Sequence, residues 1–430
     1  MALIEKDLRH NFEFYSNNEA LKRKADELFE KLDVGNRLLQ NKKDFLINLL
    51  VNLKFALAQN RPLIIQKNKQ WYAERPRDYY PDHQTYAVVR SLLDELVRQG
   101  YLEIKPHITK RVTTGYTPKP SLISFINSVD ESEVINLRPS NFIILRTVNS
   151  SGDKIDTSYN DTTLTRAMKR DMEKYSDVRE RHRISIKNIP AELYYEHADS
   201  IKMYSQRIPT NLAGGNFTIP LRKTYLVRIF NTNFNKEGRF YRGVECNMPK
   251  AVRKYFHIDG HSTVELDYSG LHIGMLYNLR RKKLSKDPYA AEPNITPEKR
   301  KIYKHISLIC INSGSINEAY KAIRKDLIDS NLRQYLPDTT LTNSVLKVYF
   351  DNFIKRNRVI EQDMFTKKCH LLMNLDSNIA NKILLHFAER DILVLCVHDS
   401  FIIDRRYEGE LKRVMRREYK NIMGFYPVIA

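Results

Sequence analysis

Two aspartates lie in settings that suit metal-dependent chemistry. Asp267 ends the segment Thr263-Val264-Glu265-Leu266-Asp267 and is followed by Tyr268, Ser269 and Gly270, a pattern that reads as short strand, turn, then helix through Tyr277. Asp399 sits between His398 and Ser400, at a polar tip separating the apolar runs 392–397 and 400–403, which read as two buried strands. A polar tip between apolar strands is costly unless its groups have partners. Carboxylates on two rigid strand ends can clamp two divalent cations about 3.5–4 Å apart, the arrangement that phosphoryl transfer from a nucleoside triphosphate requires. Between them lie Arg300 and Lys304, four residues apart and therefore on one face of a helix, where both can reach one triphosphate. Leu308 and Asn312 continue that stripe.

The elements that must position these groups are legible in outline. Ile379, Ile383, Leu384 and Phe387 fall at helical spacing, so 374–387 reads as a helix before the Asp399 hairpin, with Asp376 and Ser377 as its N-cap. The residues 163–183 read as a basic helix carrying Arg166, Lys169, Arg170, Lys174, Arg179, Arg181 and Arg183, a face suited to phosphates. A Ser/Asn/Asp-rich stretch, 148–161, reads as a linker and marks a boundary. Before it, 18–32 and 44–57 have helical spacing. Then come an amphipathic helix within 84–102 ended by Gly100, a short strand, a basic loop at 105–111 and a returning strand at 121–126, an order that resembles a winged helix.

The bulk properties point the same way. Lys and Arg number 71 against 51 Asp and Glu, a net charge of +20 that attracts phosphate backbones and releases their counterions. No run approaches the roughly 18 apolar residues of a membrane span, and the first residues are too charged for a signal peptide, so a cytoplasmic protein without a membrane partner is expected. Cys246, Cys310, Cys369 and Cys396 lie far apart without CxxC pairing, which points to reduced structural thiols and not to zinc or disulfides.

Over residues 225–430 the chain resembles the polymerase I (family A) DNA polymerases and, more remotely, the single-subunit phage-type RNA polymerases. Four blocks stand in the family's order: Glu237-Gly238-Arg239 with Asn247-Met248-Pro249 and Arg253; Asp267-Tyr268-Ser269; Arg300 with Lys304; and His398-Asp399. The resemblance implies an α+β right-hand fold of palm, fingers and thumb, with an N-terminal helical or winged-helix domain. It divides the chain into 1–147, a linker and helical thumb at 148–225, and a polymerase core at 226–430. It further implies that Asp267, Asp399 and the backbone carbonyl of Tyr268 hold two Mg2+ ions, for which Mn2+ can substitute. Arg300 and Lys304 would bind the triphosphate, Lys304 would protonate the leaving pyrophosphate, and Arg239, His398, Asn247 and Arg253 would contact the primer-template.

Departures from the family pattern bear on the sugar. His272 stands where the DNA polymerases place a Glu against the sugar, Leu308 replaces an aromatic residue, and Asn312-Ser313 replaces Tyr-Gly. Ser400 follows His-Asp as in the phage-type RNA polymerases. The expected function is a compact DNA-directed DNA polymerase of a phage or mobile element, acting in DNA replication on a DNA primer-template with nucleoside triphosphates. The alternatives are a single-subunit RNA polymerase or primase-like enzyme working on RNA, and a non-catalytic replication initiator. A protein partner is left open, and the absence of an exonuclease-like acidic cluster in the N-terminal part argues against proofreading.

Overall fold

The computed structural model describes residues 8–105, 113–150, 152–207, 217–336 and 340–429. Its secondary structure is mixed α/β. Two apolar cores account for the burial. One is built from residues between Phe14 and Val134, the other from residues between Tyr79 and Met423.

The first core forms around the helix Leu39–Ala58, which is apolar nearly all round: Phe45, Leu46, Leu49, Leu50 and Leu53 are all buried. Such a helix must be covered on every side. The helices Glu19–Phe29, Tyr86–Arg98 and Pro120–Asn127 cover it together with a sheet of Leu8–Arg9, Leu63–Gln66, Thr113–Pro118 and Leu102–Lys105. The amphipathic segment within 84–102 is the helix Tyr86–Arg98, capped by the Thr85 side chain. The expected strand at 121–126 is instead the helix Pro120–Asn127. Pro120 in its first turn is preorganised for a helix, and Leu122, Phe125 and Ile126 repeat at helical spacing. The strand that returns is Thr113–Pro118, antiparallel to Leu102–Lys105. Most of the basic loop expected at 105–111 lies outside the described residues.

The second core is laid on a six-stranded, wholly antiparallel sheet, in the order Thr218–Pro220, Ile184–Lys187, Phe256–Ile258, His261–Asp267, Ser400–Asp404, Val394–Val397. A four-stranded sheet stands beside it, in the order Asn233–Tyr241, Val227–Asn231, Ile143–Val148, Lys154–Thr157. Two expectations are corrected here. The stretch 148–161 is not a bare linker, because Lys154–Thr157 pairs back on Ile143–Val148 and Asp156 is buried against Arg146 and Tyr80. Nor is 148–225 a helical unit of its own. After the helix Thr163–Arg181 it contributes Ile184–Lys187 and Thr218–Pro220 to the six-stranded sheet.

The basic face expected on that helix is also reduced. Arg179 is fully buried and forms a double ion pair with Glu245, with Nη2 to Oε2 at 2.7 Å and Nη1 to Oε1 at 2.9 Å. Burial opposes its charge, but Glu245 outweighs that and the pKa of Arg179 is raised. Lys169, Lys174 and Arg181 pair with Asp161, Glu389 and Asp391. A helical wheel shows which residues share a face but not which face turns inward.

Candidate active site

Asp267 is the last residue of the strand His261–Asp267, and its register partner across the sheet is Ser400. Val397 pairs with Ser400, leaving His398 and Asp399 as a two-residue hairpin loop. His398 takes a positive φ of 59° while Asp399 does not, which is the pattern of a type II′ turn. Pairing therefore sets Asp399 directly beside Asp267, and the Tyr268 N–H lies 3.5 Å from the Asp399 carbonyl oxygen. The convergence expected of the two aspartates is a consequence of sheet register.

The electrostatics of the pair follow from this placement. The pKa of Asp267 is raised to about 6, chiefly by burial and then by the neighbouring Asp399; Lys250 opposes the rise, Glu265 adds to it, and Lys304 again opposes it. Oδ1 of Asp267 is buried without a hydrogen-bond partner. An orphaned carboxylate oxygen with a second carboxylate beside it and lysines nearby is a donor set that fits a hard cation. Among the described residues no group of three or more His, Cys, Asp or Glu is placed to hold a metal. The Tyr268 ring turns away from this site and donates its hydroxyl to the Met415 carbonyl at 2.7 Å.

Glu265 shares the strand face of Asp267. Its carboxylate takes Arg253 Nη2 at 2.7 Å, Arg253 Nε at 3.2 Å and the Ser400 hydroxyl at 2.8 Å. Burial would raise its pKa, but Arg253 and Ser400 hold it below the usual carboxylate range. The guanidinium of Arg253 is thus held by Glu265 and by the Met248 carbonyl at 2.9 Å. Asn247 is exposed, with its amide donating to the Gly243 carbonyl at 2.9 Å.

The helix Pro297–Asn312 starts at a Thr296 cap with Pro297 in its first turn and buries Ile302, Tyr303, Ile306 and Cys310. Arg300, Lys304, Leu308 and Asn312 lie together on its exposed face, as their spacing predicts. Arg300 is held by Asp287, Nε to Oδ2 at 2.6 Å, over the ring of Tyr289. A triphosphate would have to replace that carboxylate.

Arg239 and His272 meet at a residue expected only as a helix cap. The helix containing Asp376 begins at Cys369, so Asp376 lies in its middle with a side chain only 1% exposed. It accepts Arg239 Nε at 3.0 Å, Arg239 Nη2 at a closer approach, and His272 Nε2 at 2.9 Å. Arg239 Nη2 also lies 3.1 Å from His272 Nε2. Burial opposes the charge of Arg239, and Asp376 restores it and raises its pKa. His398 stands nearby, its ring edge-on to Tyr241 at 5.6 Å and its Nδ1 without a partner. Burial lowers its pKa and the charge of Arg239 lowers it further.

No protein-family model and no curated protein matches the sequence. Among solved structures the chain is similar to the POL domain of Pol1 from M. smegmatis in complex with DNA primer-template and dNTP, at 16% identity and a TM-score of 0.31. The match covers 56% of this chain and 50% of that one, so it spans half of that chain's length.

Three residues of the site were missed in the sequence. Glu265 was within reach, since a residue two before a strand aspartate must share its face. Lys250 lies just beyond the Asn247-Met248-Pro249 segment, but that it acts on Asp267 depends on how the chain folds back. Asp376 reads in the sequence only as a helix cap, because nothing local shows that the helix begins seven residues earlier, at Cys369.

Proposed function

We propose that the chain is a template-directed nucleotidyltransferase, a compact DNA polymerase that extends a primer by two-metal phosphoryl transfer. The observation that carries this reading is the placement of Asp267 beside Asp399 by strand register, with one buried oxygen of Asp267 left unpaired. In this reading the six-stranded sheet is the palm, and the helix Pro297–Asn312 belongs to the fingers.

Asp267, Asp399 and the Tyr268 carbonyl would hold magnesium, which when bound supplies charge neutralisation and activation of the primer 3′ hydroxyl. The protein's own side chains do the rest. Lys304 binds the triphosphate and delivers a proton to the departing pyrophosphate oxygen. Arg300 exchanges Asp287 for the triphosphate. Arg239, fixed by Asp376, and His398 orient the primer end. His272 is fixed by the same carboxylate and so offers a rigid edge towards the nucleotide sugar. That rigidity is compatible with exclusion of a 2′ hydroxyl, and equally with a hydrogen bond to one, which keeps a ribonucleotide polymerase as the second reading.

The test is extension of a labelled primer on a DNA template with dNTPs or rNTPs, with and without primer, by the native chain, Asp267→Asn and Asp399→Asn. Primer-dependent dNTP incorporation, lost in both variants while DNA binding persists, is expected. Equal incorporation by the variants would end the site assignment. Extension only with rNTPs, or strongly without primer, would move it to the second reading.

A further inference from the structure

The helix Glu408–Met423 buries Leu411, Val414, Met415 and Tyr419. Its outer face carries Lys412, Arg413, Arg416 and Lys420, all exposed, each within about a turn of the next along the helix. A second basic stretch follows the helix Leu271–Leu279: Arg281, Lys282, Lys283 and Lys286 are exposed, and residues 280–286 contain no acid. Their neighbours Arg280 and Arg417 are paired, with Asp363 and Glu418.

The two stretches form one surface. The Tyr419 hydroxyl donates to Asn278 Oδ1 at 2.7 Å, and the Asn278 amide donates to the Lys282 carbonyl at 3.0 Å. Lys283, Tyr419 and Tyr426 line the same shallow cavity. The Lys420 ammonium lies 4.5 Å from the ring centroid of Tyr426 and donates to its hydroxyl at 3.1 Å, and Tyr426 is 62% exposed. This surface lies behind the six-stranded sheet. Tyr268 and Phe401 turn towards the helix, the Tyr268 ring 5.7 Å from that of Tyr419, whereas Asp267 and Ser400 belong to the opposite side.

We propose that this surface is a second nucleic-acid site, separate from the carboxylate pair, which takes a single-stranded polynucleotide with one base stacked on Tyr426. A line of cations spaced along a helix tracks a phosphate chain, and an exposed ring flanked by a cation gives an unpaired base a face to stack on. Bases in a duplex are already stacked on their neighbours, whereas an unpaired base has a face free for the ring. The helix has already buried its apolar face, so it has nothing to insert into a lipid surface. The inference needs no polymerase activity, and its failure would leave the catalytic reading untouched.

Trp71 is the chain's one tryptophan, so the full-length double variant Trp71→Phe with Tyr426→Trp carries its indole at this site alone. Quenching of that fluorescence by oligothymidylate or oligouridylate is expected, and the stronger of the two identifies the natural strand. No quenching once anisotropy shows the strand bound, or equal quenching by a blunt duplex or by phosphatidylserine vesicles, would overturn the proposal. Independently of that variant, Lys283→Ala, Lys412→Ala, Arg416→Ala and Lys420→Ala combined should lower the slope of log affinity against log salt by about 3, since each single-strand phosphate contact contributes ~0.7. An unchanged slope would also overturn it.

Discussion

Oδ2 of Asp376 lies 2.9 Å from Nε2 of His272, although the two residues come from different helices and are separated by more than a hundred positions. The same oxygen takes the guanidinium of Arg239. A single buried carboxylate therefore fixes two side chains that face the candidate site, and neither can reorient without disturbing the other.

Removing that charge should be costly. Asp376→Ala leaves Arg239 without its counter-charge and without an acceptor in a nearly dry setting and is expected to lower stability by about 3–5 kcal/mol, with Asp376→Asn, which loses the charge but keeps a carbonyl acceptor, costing somewhat less. Urea denaturation measures the difference. In Asp376→Asn, nucleotide incorporation should drop more than folding does, because the position of Arg239 is altered in a protein that still folds.

Asp267 gives a pH dependence with a definite sign. Its folded pKa, about 6, lies above the ordinary 3.8, so the folded state binds more protons between those values and stability falls as pH rises through that window. In metal-free protein Asp267→Asn should be more stable than the native chain above pH 6, by about 1–2 kcal/mol once solvent screening of a partly exposed group is allowed for. At pH 4 the two should coincide. Thermal unfolding with a chelator present, at both pH values, checks this; a gain of equal size at pH 4 would show that Asp267 is not the group responsible.

Gly238 has φ of 88°, and a Cβ there would stand 2.3 Å from Cε1 of Phe230, a buried ring. Its carbonyl also takes the Nε of the fully buried Arg228 at 2.9 Å, a guanidinium whose pKa burial lowers to about 10. Gly238→Ala should cost about 2 kcal/mol or more and displace Arg239, the next residue, so that stability and incorporation fall together. Circular dichroism melts alongside primer extension would reveal either loss without the other.

The pair of Arg179 and Glu245 offers a thermodynamic cycle. Arg179→Met alone strands Glu245 in the core and should destabilise by about 3–5 kcal/mol, whereas combining it with Glu245→Leu should recover most of that. Additive losses in chemical denaturation would mean that the two charges do not act as a unit.

The order of the chain alone fixed several features of the site. The strand patterns before Asp267 and around Asp399 specify strands, the polar His398-Asp399-Ser400 tip specifies a turn between them, and the spacing from Arg300 to Asn312 specifies one helical face; each is local, dictated within a few residues by backbone geometry. What the sequence could not decide depends on which residues meet across long separations. Asp376 reads as a cap until the helix is seen to begin at Cys369; Arg179 reads as surface charge until Glu245 is found beneath it; the strand Ile184–Lys187 joins a sheet whose other members lie far along the chain. Periodicity tells which residues share a side of an element. Only packing decides what that side faces, because burial of a charge is settled by the partner that tertiary structure brings to it.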